Sequence, residues 1–116
     1  MPMTTQSRGL LPGTVDLVIL QTLTQGALHG FEVSRSIRAR SGGTLDVQDA
    51  ALYKALHRME AAGWVASQWG VSDRGRRARY YELTAAGRRQ LETEVGFWRA
   101  YAAAVFSVLE PVKRSG

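Results

Sequence analysis

Cysteine is absent from all 116 residues. That absence excludes disulfide stapling, thiolate zinc sites and thiol catalysis together, so the core must hold by packing alone. Histidine is nearly as scarce: His29 and His57 are the only two, and neither has a histidine or acidic partner at metal-binding spacing. No metal and no cofactor are expected. Long apolar runs are missing too. No stretch reaches the roughly 18 apolar residues of a membrane span, and the opening M-P-M-T-T-Q-S-R-G lacks the apolar centre of a signal peptide. The expectation is a cytoplasmic chain with no membrane contact. There is no phosphate-binding glycine loop and no nucleophile motif, and Glu60, Glu82, Glu92 and Glu94 are scattered along the chain. Enzyme activity is therefore not expected.

Positive charge is what the chain has in excess. Lysine and arginine number 15 against 10 acids, giving a formal charge of +5 and a pI near 10.2, and most of the cations are arginine. Such a balance favours a polyanionic partner, yet it equally fits ordinary solubilising charge, so position must decide. The length allows one small domain with a modest core.

Periodicity gives an order of elements. Residues 1–13 read as a flexible N-terminal arm. A first helix is expected over Thr14 to Thr24, with Asp16 complementing the helix dipole. Val15, Leu17, Val18, Ile19, Leu20 and Leu23 point almost all the way round it, which calls for cover on more than one side and points to a second subunit. A second helix over Phe31 to Arg40 should bury Phe31, Val33 or Ser34, and Ile37. Thr44 to Val47 alternates as a short strand. A third helix follows with Asp49 as N-cap and Gly63 closing it. Trp64 to Trp69 and Arg77 to Leu83 read as two strands joined by a turn-forming loop, with Trp64 and Trp69 packing this hairpin.

Thr84 caps a last helix of about 26 residues, roughly 39 Å long. Along it Leu91, Val95, Trp98, Ala102, Val105 and Leu109 recur at alternating spacings of four and three, a heptad seam. Phe97, Tyr101, Ala104 and Val108 form a second row. Two rows on one helix suit two contacts, one with its own domain and one with a partner. Gly96 marks a close backbone approach or an opening beside Trp98. The layout is thus mainly α with a small β wing: a winged helix-turn-helix domain over 14–83, a dimerisation helix over 84–110 and a basic tail over 111–116.

The third helix is the expected reader of nucleic acid. Leu52, Ala55, Leu56, Met59 and Ala62 share its core face, while Ala50, Tyr53, Lys54, His57 and Arg58 share the opposite one. Small alanines let such a helix enter a major groove about 12 Å wide. Arg74, Arg76, Arg77 and Arg79 load the hairpin tip, where planar guanidinium forks suit phosphate oxygens; Arg79, inside the strand, also suits a pairing with Glu82 or a helix carboxylate. A dimer interface is expected from Leu17 and Leu20 on the first helix and from Leu91, Val95, Trp98, Ala102, Val105 and Leu109 on the last. Trp98, with Val95, either fills core volume or walls an apolar ligand site between subunits. The same basic surface would also suit an acidic protein partner in place of DNA.

Five stretches together resemble the PadR family of bacterial transcriptional regulators, in its short-helix branch. They are L-P-G-T-V-D-L-V-I-L, H-G-F at His29 to Phe31, A-L-Y-K-A-L-H-R-M-E-A-A-G-W, the wing ending R-R-A-R-Y-Y, and L-T-A-A-G-R-R-Q-L. They span the chain from about Leu11 to Leu109. The resemblance implies a homodimeric winged-helix protein that binds double-stranded DNA, usually as a repressor on an inverted-repeat operator, and is released by a small aromatic effector. It places Tyr53 on the family's recognition-helix tyrosine and Trp98 where some relatives carry an aromatic residue between dimer helices. Lys54 departs from the pattern, since many relatives carry proline there, so operator preference does not carry over.

Overall fold

In the computed structural model, residues 10, 11 and 13–112 are described. Most of the N-terminal arm and the Lys113-Arg114 tail thus lie outside the described residues. The elements run α1 (Thr14–Thr22), a 3-10 turn (Leu23–Gln25), β1 (Leu28–His29), α2 (Gly30–Arg40), α3 (Asp49–Ala61), β2 (Val65–Val71), β3 (Arg77–Leu83) and α4 (Ala85–Leu109). The three strands form one antiparallel sheet in the order β1-β3-β2.

The core joins α1, α2, α3 and the base of the hairpin. Ile19, Leu20, Val33, Leu52, Leu56 and Met59 are fully shielded from solvent, each worth about 1.5–3 kcal/mol of transfer free energy. Leu10 packs against this cluster from the residues preceding α1. Helix α1 finds its cover within its own chain, in α2, α3 and α4. Its all-round apolar character therefore does not demand a second subunit. Leu20, expected at a dimer interface, lies wholly inside the core, and Leu17 packs against it.

Local chemistry sets the boundaries. At α2 the His29 ring nitrogen Nδ1 accepts from the Glu32 N–H at 3.3 Å, while Glu32 Oε1 accepts from the His29 N–H at 3.1 Å, a reciprocal capping box. Helix α3 starts with Gln48 as N-cap, one residue before the expectation, and Asp49 sits inside the first turn where its charge suits the dipole. It ends at Gly63, with φ of 82°: the Trp64 N–H reaches Met59 O at 2.9 Å and the Gly63 N–H reaches Glu60 O at 3.0 Å. Ala62 therefore leaves the core face and is exposed at this C-cap.

Thr84 caps α4, its hydroxyl oxygen accepting from the Gly87 N–H at 3.0 Å and its hydroxyl donating to Gly63 O at 2.6 Å. Gly87 is pressed so tightly on the carbonyl of Trp64 that no β-carbon fits. The root of α4 is thus fixed directly to the start of the wing.

Three expectations differ from the fold. Thr44 to Val47 is not a strand: Ser41 Oγ accepts the Leu45 N–H at 2.9 Å, and the segment runs as coil that drops Val47 into the core. The extra strand is Leu28–His29, pairing with Tyr81 and Tyr80 of β3. Helix α1 stops at Thr22 and tightens into the 3-10 turn.

Helix α4 splits along its length. Leu91 is buried in its own domain and is not free for a partner, while Val95 packs half-buried against the same core. Trp98 is half-buried, its ring lying against Gly13 at the start of α1. Ala102 is half-buried, whereas Val105 and Leu109 are exposed. The second row, with Phe97, Tyr101 and Val108, is exposed as well, and Phe106 beside it. Phe97 and Tyr101 stack at 5.8 Å between ring centroids. Among the described residues a β-carbon at Gly96 would meet nothing within 4 Å, so of the two expectations for Gly96 the close approach is not made by these residues.

Candidate nucleic-acid interface

The face of α3 turned from the core presents Ala50, Tyr53, Lys54, His57 and Arg58, all exposed. Tyr53 is held in place by what lies under it. Gly30, at the start of α2, has no side chain, and a β-carbon there would fall 2.7 Å from the Tyr53 ring. The Tyr53 phenol thus rests on the bare backbone of α2, which gives the H-G-F stretch a physical role.

Arg58 has a different role from the one its helix face implied. Its Nη1 and Nη2 donate to both carboxylate oxygens of Asp16 at 2.8 Å each, a bidentate pair tying the last turn of α3 to α1. Hydrogen bonding to Asp16 raises its pKa further above an already high value. A guanidinium so engaged ties α3 to α1, while its side chain stays exposed on the outer face of the helix.

Arg79 is engaged likewise. Its Nη2 lies 3.3 Å from Glu60 Oε2, its Nε donates to Ser67 Oγ at 2.9 Å, and the Ser67 hydroxyl donates to Glu60 Oε2 at 2.6 Å. The partner is a helix carboxylate, Glu60, and not Glu82. The Ser67 hydrogen bond, reinforced by the Arg79 charge, holds the Glu60 carboxyl below its ordinary pKa.

The hairpin register places Trp69 opposite Arg79 and Val71 opposite Arg77. Ser67, Trp69, Arg77, Arg79 and Tyr81 therefore share one face of the wing. Burial pushes the Tyr81 hydroxyl pKa up. Trp69 is not a packing residue: it is 55% exposed, and the Arg77 guanidinium carbon lies 4.4 Å from its ring centroid. At the tip Gly75, with φ of 74°, allows the turn in which the Gly75 N–H reaches Ser72 O at 2.8 Å.

Between this face, Tyr53 and the N-terminal turn of α2 runs a groove of about 760 Å³. Arg74, Arg76 and Arg77 line it together with Tyr53, as do Arg79, Phe31, Arg35 and Trp69, with Glu32 and Asp73 as its acids. Ala50, Lys54 and His57 extend the same surface along α3. The sequence pattern gives Phe31 and Trp69 packing roles and Arg35 none, so none of the three is expected on this surface. Phe31 was expected in the core, but Val33 and Ile37 fill that face of α2 and leave Phe31 61% exposed. The available signals were the four-residue spacing of Phe31 and Arg35 and the cross-strand placement of Trp69 near two arginines.

Among the described residues no cluster of histidine and acidic side chains could hold a metal ion, and no helix is long and apolar enough to cross a membrane.

A helix with a polar outer face, braced by two others and flanked by a basic hairpin, defines the winged helix-turn-helix class of DNA-binding protein. The family model described as the transcriptional regulator PadR-like family matches residues 19–93, and the chain belongs to that family. An uncharacterized protein of Lysinibacillus sphaericus is 30% identical over 90 residues, covering 77% of this chain and 82% of that one. A transcriptional regulator from Clostridium thermocellum superposes with a TM-score of 0.76 at 26% identity, covering 84% of this chain and 95% of its own. A PadR family transcription regulator from Clostridium difficile gives 0.73 at 28% identity, covering 84% of this chain and 100% of its own.

Proposed function

We propose that the protein is a homodimeric, sequence-specific transcriptional repressor that occupies an inverted-repeat operator and leaves it when a small aromatic ligand binds. The observation that carries the DNA reading is the groove joining the exposed face of α3 to the wing, with Arg74, Arg76 and Arg77 along it. In each half-site Tyr53, Lys54 and His57 read base edges, and Ala50 lets the helix sit close. The three wing arginines hold the backbone, while Arg58 and Arg79 act through their carboxylate partners to set the pose of α3 and the wing. The partner protomer covers the exposed row of Phe97, Tyr101 and Val108, and the ligand sits beside Trp98 and Val95, where the Trp98 ring meets the start of α1.

Selection of bound sequences from a random duplex pool tests specificity and half-site symmetry together. The expected product is one inverted repeat. Replacing Arg74, Arg76 and Arg77 together by alanine should lower the logarithmic salt slope of binding by about three per protomer, since each phosphate contact releases roughly one counterion. An unchanged slope would remove the wing from the interface.

A further inference from the structure

Each wall of the groove carries a guanidinium laid over an aromatic ring. On the wing wall Arg77 lies 4.4 Å from the Trp69 centroid. On the α2 wall Arg35 lies 5.8 Å from the Phe31 centroid. Both rings are more than half exposed, at 55% and 61%. Neither is needed by the core, and neither Arg35 nor Arg77 has an acidic partner among the described residues. The cations that do have such partners are Arg58, in the last turn of α3, and Arg79, which lies 5.7 Å from the same Trp69 centroid but is held by Glu60.

A ring beneath a guanidinium attracts it through the negative π face and fixes its plane, leaving the N–H edge free to pair with phosphate oxygens. Geometry then names the occupant. A helix in a major groove and a wing over the neighbouring minor groove must have one DNA backbone between them. Resting on the DNA-binding reading above, we infer that Phe31–Arg35 and Trp69–Arg77 form a two-walled clamp for a single phosphodiester strand of the duplex, with both rings as positioning residues for the arginines.

The test is anisotropy of a labelled random-sequence duplex of about two helical turns, titrated at several salt concentrations. Arg35→Ala and Arg77→Ala should each lower the salt slope by about one per bound protomer. Trp69→Leu should weaken binding about two- to fivefold, the range of an exposed cation–π contact, with the slope unchanged. Trp69→Tyr should restore it. In an Arg77→Ala background Trp69→Leu should add no further loss, and Phe31→Leu should behave likewise against Arg35→Ala. Melting temperatures matching the unaltered protein keep these comparisons at constant fold.

Wild-type affinity in Trp69→Leu and Phe31→Leu, or losses that add in full to those of the arginine variants, would overturn the clamp while leaving DNA binding intact. Failure of the unaltered protein to bind duplex, with saturation by poly-glutamate instead, would overturn the DNA reading and the clamp with it.

Discussion

Gly30 and Tyr53 show how one missing side chain positions another. Gly30 sits at negative φ, so its role is space and not backbone freedom. Gly30→Ala should displace the phenol and destabilise the protein by about 1 kcal/mol, the lower end of overpacking costs, because the far end of a tyrosine can swing away. In a Tyr53→Ala background the same change should become neutral or stabilising, since alanine is the better helix former. Urea unfolding of the four proteins checks this, and an equal cost in both backgrounds would refute it. At this scale the sequence was partly legible. The polar face of α3 was read correctly from its period, but Phe31 was placed inside because periodicity gives an apolar residue a face without saying whether that face is already full. Arg58 and Arg79 could be counted as cations; that Asp16 and Glu60 hold them depends on contacts 42 and 19 residues apart in sequence.

At the scale of elements, the wing and α3 are joined through Glu60, Ser67 and Arg79. The Glu60 carboxyl is held below its unfolded pKa. A depressed carboxyl contributes stability that is present above the ordinary value of about 4.3 and is lost as pH falls through its lower folded value. Glu60→Gln should therefore be less stable than the unaltered protein near neutrality, by a modest amount because the site is partly open to water. The gap should close in acid. Denaturation midpoints at neutral pH and near pH 3 measure it, and a gap independent of pH would contradict the network. The hairpin, the turn at Gly63 and the cap at Thr84 were visible because each is a local chemical signal. Strand β1 was not, since two residues leave no alternation to detect; Leu28 and His29 become a strand only because β3 offers them an open edge. Thr44 to Val47 alternates without any such edge, and stays coil.

For the whole molecule, α4 decides the shape. The radius of gyration is 17.0 Å and the longest extent 67 Å, against about 13 Å for the radius of a compact chain of this length. The far half of α4 projects with Phe97, Tyr101, Val105, Phe106, Val108 and Leu109 exposed. Replacing Phe97 and Tyr101 together by lysine should convert the proposed dimer to monomer with its fold retained, as read by sedimentation and circular dichroism. A species of unchanged mass would place the self-association elsewhere. The two apolar rows were legible, but a heptad pattern cannot say whose surface fills it, so the seam assigns Leu91 to a partner when its own core takes it.

The seating of Gly87 on the Trp64 carbonyl has a consequence for operator choice. With no side chain between the root of α4 and the wing, the angle between them is set by backbone contact and has little play. In the proposed dimer, two copies joined through α4 would behave as a fixed caliper, whose jaws are the two copies of α3. Such a gauge accepts one separation between half-sites, and a single inserted base pair would turn the second half-site away from its reader and out of reach.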